Sequence, residues 1–216
     1  MGRRFSSVVG LLLAAVCETA AATTFTAEIT DQDGKPVANA VVSLVPESKS
    51  GMPSASTRLP NEMHIDQRLE TFVPLVTVVP RNGRVVFANS DQTTHQVYSF
   101  SPVKQFEITL ARGAMSPPIV FPTAGVAALG CNIHDNMIAY VFVTDSPWTG
   151  LTDADGRAVI DDVPPGSYQA QVWHYRYPPR RELPSARIAV ASDTTRWAAN
   201  IRVLTQTSTR SHAGSY

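Results

Sequence analysis

Apolar and polar residues alternate along much of the chain with the period of two that is typical of half-buried β-strands. In residues 24–30, for example, Phe25, Ala27 and Ile29 fall on one face. Similar segments, separated by Gly, Pro, Asn and Asp, predict further strands at 37–45, 75–79, 84–88, 96–100, 106–110, 126–129, 139–144, 158–160, 167–173, 186–191 and 196–204. No segment sustains a helical period, so the pattern predicts an all-β protein.

Composition narrows the class further. Apolar residues make up 44% of the 216 residues and charged residues 17%, as expected for a packed globular protein. Lys plus Arg and Asp plus Glu are both 18, and no run of basic residues is present. We therefore expect no nucleic-acid partner and no polybasic membrane anchor.

The N-terminus has the pattern of a secretory signal peptide. Arg3 and Arg4 precede an apolar run over residues 8–16, and Ala20 and Ala22 form a small-residue cleavage site. We predict a signal peptide at 1–22, export to the periplasm and no transmembrane segment in the mature chain. Cleavage removes Cys17 and leaves Cys131 as a lone thiol, which is a liability in an oxidising compartment unless it is buried or bound to a metal.

Turn and linker signals divide the mature chain into five parts. The first strands occupy 23–46, and a polar Ser/Pro-rich stretch at 47–62 predicts a linker. A second block of strands covers 63–146 and a third covers 147–205, followed by a Ser/Thr-rich tail at 206–216 that we expect to be disordered.

Two turn motifs echo each other across the chain. Asp31-Gln-Asp-Gly34 and Asp153-Ala-Asp-Gly156 each resemble part of a calcium loop, but neither supplies the further oxygen ligands and the terminal Glu of an EF-hand. We interpret both as tight turns in which glycine takes a positive φ.

The segment around Cys131 carries the most specific chemistry. It reads Gly130-Cys131-Asn132-Ile-His134-Asp-Asn-Met137, a Cys-x2-His-x2-Met motif. A thiolate, an imidazole and a thioether are soft ligands that suit copper, with methionine in a weak axial position, whereas zinc prefers a fourth strong ligand. A second imidazole is needed, and His95, just after the predicted strand at 84–88, is the candidate.

These residues resemble the cupredoxins. The resemblance rests on Val85-Val-Phe-Ala-Asn89, His95-x-Val97 and Ala127-Ala-Leu-Gly-Cys131-x2-His134-x2-Met137, and the short ligand spacing is similar to that of amicyanin. The chain also resembles exported plastocyanin-like proteins labelled methylamine utilization proteins. The resemblance implies a Greek-key β-sandwich at 63–146 with one mononuclear type 1 copper bound by His95, Cys131, His134 and Met137.

Two asparagines are candidates for supporting roles around those ligands. Asn89 is expected to hydrogen-bond backbone near the Cys131 loop, with a plain turn residue as the alternative. Asn132 is a candidate to offer its backbone N–H to the Cys131 sulfur. A second metal site formed by His64 and His174 is the less favoured interpretation of those residues, and we expect no specific role for His212.

The flanking segments resemble a different family. Ile29-Thr-Asp-x2-Gly34-Lys-Pro36 and Thr152-Asp-x2-Gly156-Arg, with the later Pro164-Pro-Gly166-x-Tyr168, are similar to the two halves of a carboxypeptidase-regulatory-like, transthyretin-type sandwich. The resemblance implies a prealbumin-like β-sandwich combined with the cupredoxin. Whether the cupredoxin is inserted in that sandwich or the three parts form one continuous β structure is left open.

Three functions compete at this point. The first is a one-electron carrier between exported redox partners, since neither a paired catalytic carboxylate nor a Ser/His/Asp order suggests an enzyme. The second is a copper-binding or delivery protein that uses the same ligands. The third is a docking module in which the copper site is secondary.

Overall fold

The computed structural model describes residues 23–48, 50, 52–178, 181–191 and 194–204. The predicted signal peptide with Cys17, and the predicted tail with His212, lie outside these residues. The described residues form sixteen strands and one 3₁₀ helix (Ala55–Thr57), which confirms the all-β class. In chain order the strands are β1 (Thr23–Asp31), β2 (Val41–Pro46), β3 (Glu62–Arg68), β4 (Thr71–Val73), β5 (Val76–Pro80), β6 (Gly83–Asn89), β7 (His95–Ser99), β8 (Phe106–Leu110), β9 (Ile119–Phe121), β10 (Gly125–Gly130), β11 (Ile138–Thr144), β12 (Thr149–Leu151), β13 (Arg157–Val163), β14 (Gly166–Trp173), β15 (Ser185–Val190) and β16 (Thr195–Ile201).

The strands form four sheets that pair into two sandwiches. Sheets β13-β1-β16 and β12-β2-β14-β15 use strands from both ends of the described chain, and we call them together the outer sandwich. Sheets β5-β11-β10-β7-β8 and β4-β3-β6-β9 use the strands between, and we call them the inserted sandwich. In topology, therefore, one sandwich is inserted between the second and third strand positions of the other. A prealbumin-like relationship for the outer sandwich stays a prediction.

Each sandwich has its own hydrophobic core. The outer core packs Phe25 and Ile29 of β1 against Leu44 of β2 and residues of β13, β14 and β16. The inserted core contains Ile65, Phe87 and Leu129 together with Cys131 and Met137. Burial of these alternating apolar side chains from two facing sheets is what stabilises a β-sandwich.

Aromatic side chains join the two sandwiches. Tyr140 of β11 lies 5.7 Å between ring centroids from Trp173 of β14 and 5.4 Å from Tyr175, and Phe142 lies 5.5 Å from Trp173. Such pairs add to the stabilisation from burial because the electron-rich ring faces attract ring edges.

His174 lies fully buried beside this junction, and this makes stability depend on pH. Its Nδ1 accepts a hydrogen bond from the backbone N–H of Arg176 at 3.3 Å, and only 2% of the residue is exposed. Burial, together with the charge of Arg176, lowers the pKa of His174 to about 4, while a hydrogen bond with the backbone of Ala38 opposes the shift. The folded protein therefore keeps this imidazole neutral.

We expect acid to destabilise the protein through His174. In the unfolded chain the imidazole takes up a proton near its ordinary pKa of about 6.5, so stability falls between about pH 6.5 and pH 4. The loss is about 2–3 kcal/mol at pH 4.5 relative to pH 7.5. Urea unfolding at the two pH values measures it, and the His174→Gln variant should show a pH dependence smaller by about that amount. Equal pH dependence in both proteins would contradict this assignment.

Candidate metal centre

Cys131 follows β10 directly and opens the loop that leads to β11. Its side chain is buried, with 3% of the residue exposed, and it makes no disulfide. β10 lies between β11 and β7 in the five-stranded sheet, so the end of the strand delivers the sulfur to the neighbourhood of β7. Sheet pairing up to Gly130 thus fixes the point at which the loop that carries the sulfur begins.

His95 is the first residue of β7 and is completely buried. Its Nδ1 lies 3.8 Å from the Sγ of Cys131. His134, in the loop after Cys131, completes a group in which one ligand atom from each of the three residues lies within 4.8 Å of the others. The His95 and His134 ring centroids are 5.0 Å apart. The structure therefore brings together three of the four side chains that the sequence predicts as ligands.

Met137 ends the same loop. Its backbone N–H donates to the carbonyl of His134 at 3.1 Å, which closes a turn, and its side chain is buried in the core cluster that contains Cys131. The fourth predicted ligand is thus buried beside the group, three residues from His134.

The Nε2 atoms of His95 and His134 each face a carboxylate. The Nε2 of His95 lies 2.8 Å from Oδ2 of Asp91, and the Nε2 of His134 lies 3.5 Å from Oε1 of Glu70. A carboxylate only accepts hydrogen bonds, so a neutral imidazole facing one carries its proton on Nε2 and keeps a lone pair on Nδ1. The Nδ1 of His134 is buried and has no hydrogen-bond partner. A buried nitrogen left in this state is costly unless something else satisfies it.

Asp91 is the most connected carboxylate at the centre. Its Oδ1 accepts from the Leu69 N–H at 2.6 Å, and its Oδ2 accepts from the Glu70 N–H at 3.0 Å as well as from His95. Burial acts to raise the pKa of Asp91, but these hydrogen bonds from Glu70, His95 and Leu69 together hold it below the ordinary value. Asp91 is therefore an acceptor at neutral pH.

Asn89 holds the loop that carries His95. Its Nδ2 donates to the carbonyls of Thr93 at 2.8 Å and Leu110 at 2.9 Å, and its Oδ1 accepts from the Asp91 N–H at 3.0 Å. The sequence predicts a supporting role through backbone hydrogen bonds, but these partners belong to the His95 loop and the end of β8 and not to the Cys131 loop. The reason is that Asn89 ends β6, from which the chain turns directly into the His95 loop.

The remaining predicted residues have separate surroundings. The Asn132 side chain donates to Glu107 at 3.2 Å, and the bond from its backbone N–H to sulfur stays a prediction. His64 is largely exposed on β3 at 3.9 Å from Glu62, whereas His174 is buried among residues of the outer sandwich. In the part of the chain that the structure describes, the cluster with metal-ligand geometry is the one formed by His95, Cys131 and His134.

The sequence pattern did not identify Glu70 or assign a role to Asp91. Glu70 lies 64 residues before His134, in the connection between β3 and β4, and only the fold brings the two side chains to 3.5 Å. Asp91 did have a local signal, since it lies in the loop that leads to His95 and a ligand histidine commonly bonds a carboxylate through its second ring nitrogen.

Comparisons with known proteins give structural likenesses only. No family model and no curated protein matches the chain. Among solved structures it is similar to a Cu(I) structure of an amicyanin mutant, with 16% identity over 48% of this chain and 98% of that chain and a TM-score of 0.35. A purple cupredoxin from Nitrosopumilus maritimus gives 21% identity over 38% and 98% of the two chains and a TM-score of 0.34.

A copper-containing nitrite reductase from Thermus scotoductus SA-01 is also similar. It is 22% identical over 40% of this chain, with a TM-score of 0.36, and the match spans 22% of the length of the reductase. These three similar structures are thus two cupredoxins and a copper enzyme, at low identity and partial coverage. By its own geometry, the chain is an all-β protein with a largely buried His–Cys–His cluster, formed by residues of the inserted sandwich.

Proposed function

We propose that the protein is an exported one-electron carrier with a single mononuclear type 1 copper held by His95, Cys131, His134 and Met137. The observation that carries this proposal is the convergence of ligand atoms of the buried His95 and Cys131 and the partly buried His134 within 4.8 Å of one another. The buried, unpartnered Nδ1 of His134 supports it, because a metal ion would satisfy that nitrogen.

The chemistry of the donors favours copper. One thiolate and two imidazole nitrogens match the trigonal His2Cys plane of blue-copper centres, and a methionine thioether suits the long axial position. A structural zinc site takes four strong ligands, which this set does not offer. Copper, when bound, supplies a one-electron couple between Cu(I) and Cu(II).

The framework suits a carrier because it restricts movement of the donors. His95 begins β7 and Cys131 directly follows the neighbouring strand β10, and the His95 ring is held by Asp91. Asn89 makes two hydrogen bonds to the His95 loop and a third to Leu110 at the end of β8, which ties the loop to the sheet. Donors held this way change little when the charge at the centre changes, which favours rapid electron exchange with a partner protein.

The proposed export rests on the sequence of the N-terminus. The predicted signal peptide at 1–22 supports a periplasmic location, and we infer one or more redox proteins there as partners. The described part of the chain has no helix with the length and hydropathy needed to cross a membrane. We assign a carrier role and no catalytic activity.

Titration of residues 23–216 with Cu(II) tests the proposal. We expect one copper per chain, an intense visible charge-transfer band and narrow EPR hyperfine splitting, with reversible reduction in voltammetry. The His134→Gln variant should lose these signals, whereas the control His64→Gln, which changes an exposed histidine, should keep them. Loss of copper to a chelator on each reduction would favour the delivery function, and a pale complex unaffected by His134→Gln would contradict both.

A further inference from the structure

The hairpin between β3 and β4 has a two-residue connection of unusual composition. Leu69 and Glu70 have φ values of 50° and 54°, in the left-handed region that favours Gly, Asn and Asp. A turn with positive φ at both central residues normally contains Asn-Gly or a similar pair. Side chains other than these adopt this backbone only where the surroundings hold it.

Asp91 provides that support. Its two carboxylate oxygens accept the backbone N–H groups of Leu69 at 2.6 Å and Glu70 at 3.0 Å. The hairpin and the His95 loop are thereby joined at one side chain, although they are about 20 residues apart in the chain. The same Oδ2 that holds Glu70 also faces the His95 ring at 2.8 Å.

Glu70 continues the connection to the other histidine. With its backbone fixed by Asp91, its side chain places Oε1 at 3.5 Å from the Nε2 of His134. We propose that Asp91 is a positioning residue for both candidate copper-binding histidines, for His95 directly and for His134 through the hairpin and Glu70. This inference rests on the proposed function, since it concerns the same centre.

The arrangement determines which nitrogens face the centre. Because Asp91 and Glu70 occupy the Nε2 edges, the Nδ1 of His95 faces the Cys131 sulfur at 3.8 Å and the Nδ1 of His134 is left free for a ligand. A single carboxylate thus orders donors from two loops before any metal binds. Donors that are ordered in advance bind a metal ion more tightly, because their side chains lose less conformational freedom on binding.

The Asp91→Asn variant tests whether Asp91 positions His95 directly. An amide has one acceptor oxygen for the three N–H groups that Asp91 serves, and it turns its NH2 group toward at least one of them. In metal-free protein at pH 7.5, long-range ¹H–¹⁵N correlation spectra report which ring nitrogen carries the proton. We expect Nε2–H for both histidines in the wild type and a detectable Nδ1–H population at His95 in the variant. Copper affinity should fall about 10- to 100-fold.

A double-mutant cycle tests whether Asp91 positions His134 through Glu70. Glu70→Gln keeps the backbone N–H that Asp91 holds but removes the charge beside His134, and we expect an affinity loss of about 3-fold, below the usual range for groups behind metal ligands. If Asp91 acts on His134 through Glu70, this loss should disappear in the Asp91→Asn background. If Glu70→Gln lowers copper affinity about 3-fold in both backgrounds, Asp91 does not act on His134 through Glu70.

A second variant guards against a simple folding defect. Leu69→Gly relieves the strained φ, so the double variant Leu69→Gly/Asp91→Asn needs less support at the hairpin. A persistent tautomer change there supports positioning of His95. The positioning role would be overturned if both histidines of Asp91→Asn kept the proton on Nε2 and its copper affinity stayed within about 2-fold of wild type. The expected loss of copper affinity is about 10- to 100-fold. If the tautomers change but the wild type binds no copper, the proposed function fails and the positioning role stands.

Discussion

Replacing Cys131 with serine is expected to abolish the intense visible band and to weaken copper binding by more than ~100-fold. This loss is larger than the one usually caused by changing a residue that hydrogen-bonds to a metal ligand. The sulfur is the softest candidate donor of the group and lies 3.8 Å from the His95 Nδ1, so its removal takes away the donor that most favours copper. Serine has nearly the same shape but a hard oxygen that stays protonated at neutral pH. The remaining imidazoles and Met137 would then hold copper only weakly.

The control for this variant is the stability of the metal-free protein. Cys131 is a small buried side chain in the inserted core, and a serine at this position should change the free energy of unfolding by only about 1–2 kcal/mol. Urea unfolding and near-ultraviolet circular dichroism without copper measure this. A folded Cys131→Ser protein that keeps the band and the wild-type affinity would show that Cys131 is not a copper ligand.

Alternation along the chain predicted most strands but not all. Strand β3 was missed because its residues, Glu62–Arg68, are mostly polar and its interior positions include Gln67, which is fully buried. The Gln67 Nε2 donates to the carbonyl of Ala88, so a polar side chain fills a place where the period-two pattern expects an apolar one. The three-residue strands β4, β9 and β12 are too short for any periodicity.

Strand β2 shows a boundary that local pattern could not set. The apolar stretch from residue 37 predicted a strand, but pairing begins at Val41 because Asn39 adopts a φ of 60°, which interrupts an extended chain. Val37 is nevertheless buried in the outer core, so its apolar character reflects packing and not strand structure.

The candidate centre was predictable to the extent that its residues are local in sequence. Cys131, His134 and Met137 lie within seven residues, and the sequence alone indicates that they form a set of soft metal ligands. His95 required an argument about which end of a sandwich each strand reaches. Glu70 and Asp91 meet only because the β3–β4 hairpin folds against the His95 loop, and no sequence spacing encodes a hydrogen bond from the backbone of one turn to a carboxylate in another.

The two Asp-x-Asp-Gly turns show how identical motifs acquire different importance. In each, the first aspartate accepts two backbone N–H bonds, from Asp33 and Lys35 in one turn and from residues 155 and 157 in the other. Gly34 has a φ of 76° and Gly156 a φ of 72°, which confirms the predicted positive φ at both. A Cβ at Gly34 would meet nothing within 4 Å. A Cβ at Gly156 would overlap the Ile29 carbonyl oxygen and lie 3.0 Å from the Val37 nitrogen.

We therefore expect Gly156→Ala to cost far more than Gly34→Ala. At Gly34 the cost is the left-handed backbone alone, about 1–2 kcal/mol. At Gly156 the clash adds about 1–3 kcal/mol, because the Ile29 N–H also bonds the Gly156 carbonyl and β1 cannot move away without losing that bond. The total cost at Gly156 is then roughly 2–5 kcal/mol. All three tryptophans, Trp148, Trp173 and Trp197, belong to the outer sandwich, so their fluorescence during urea unfolding reports on the part that contains both turns. Equal losses of unfolding free energy in the two variants would show that β1 yields to the added methyl group and that the two turns are interchangeable after all.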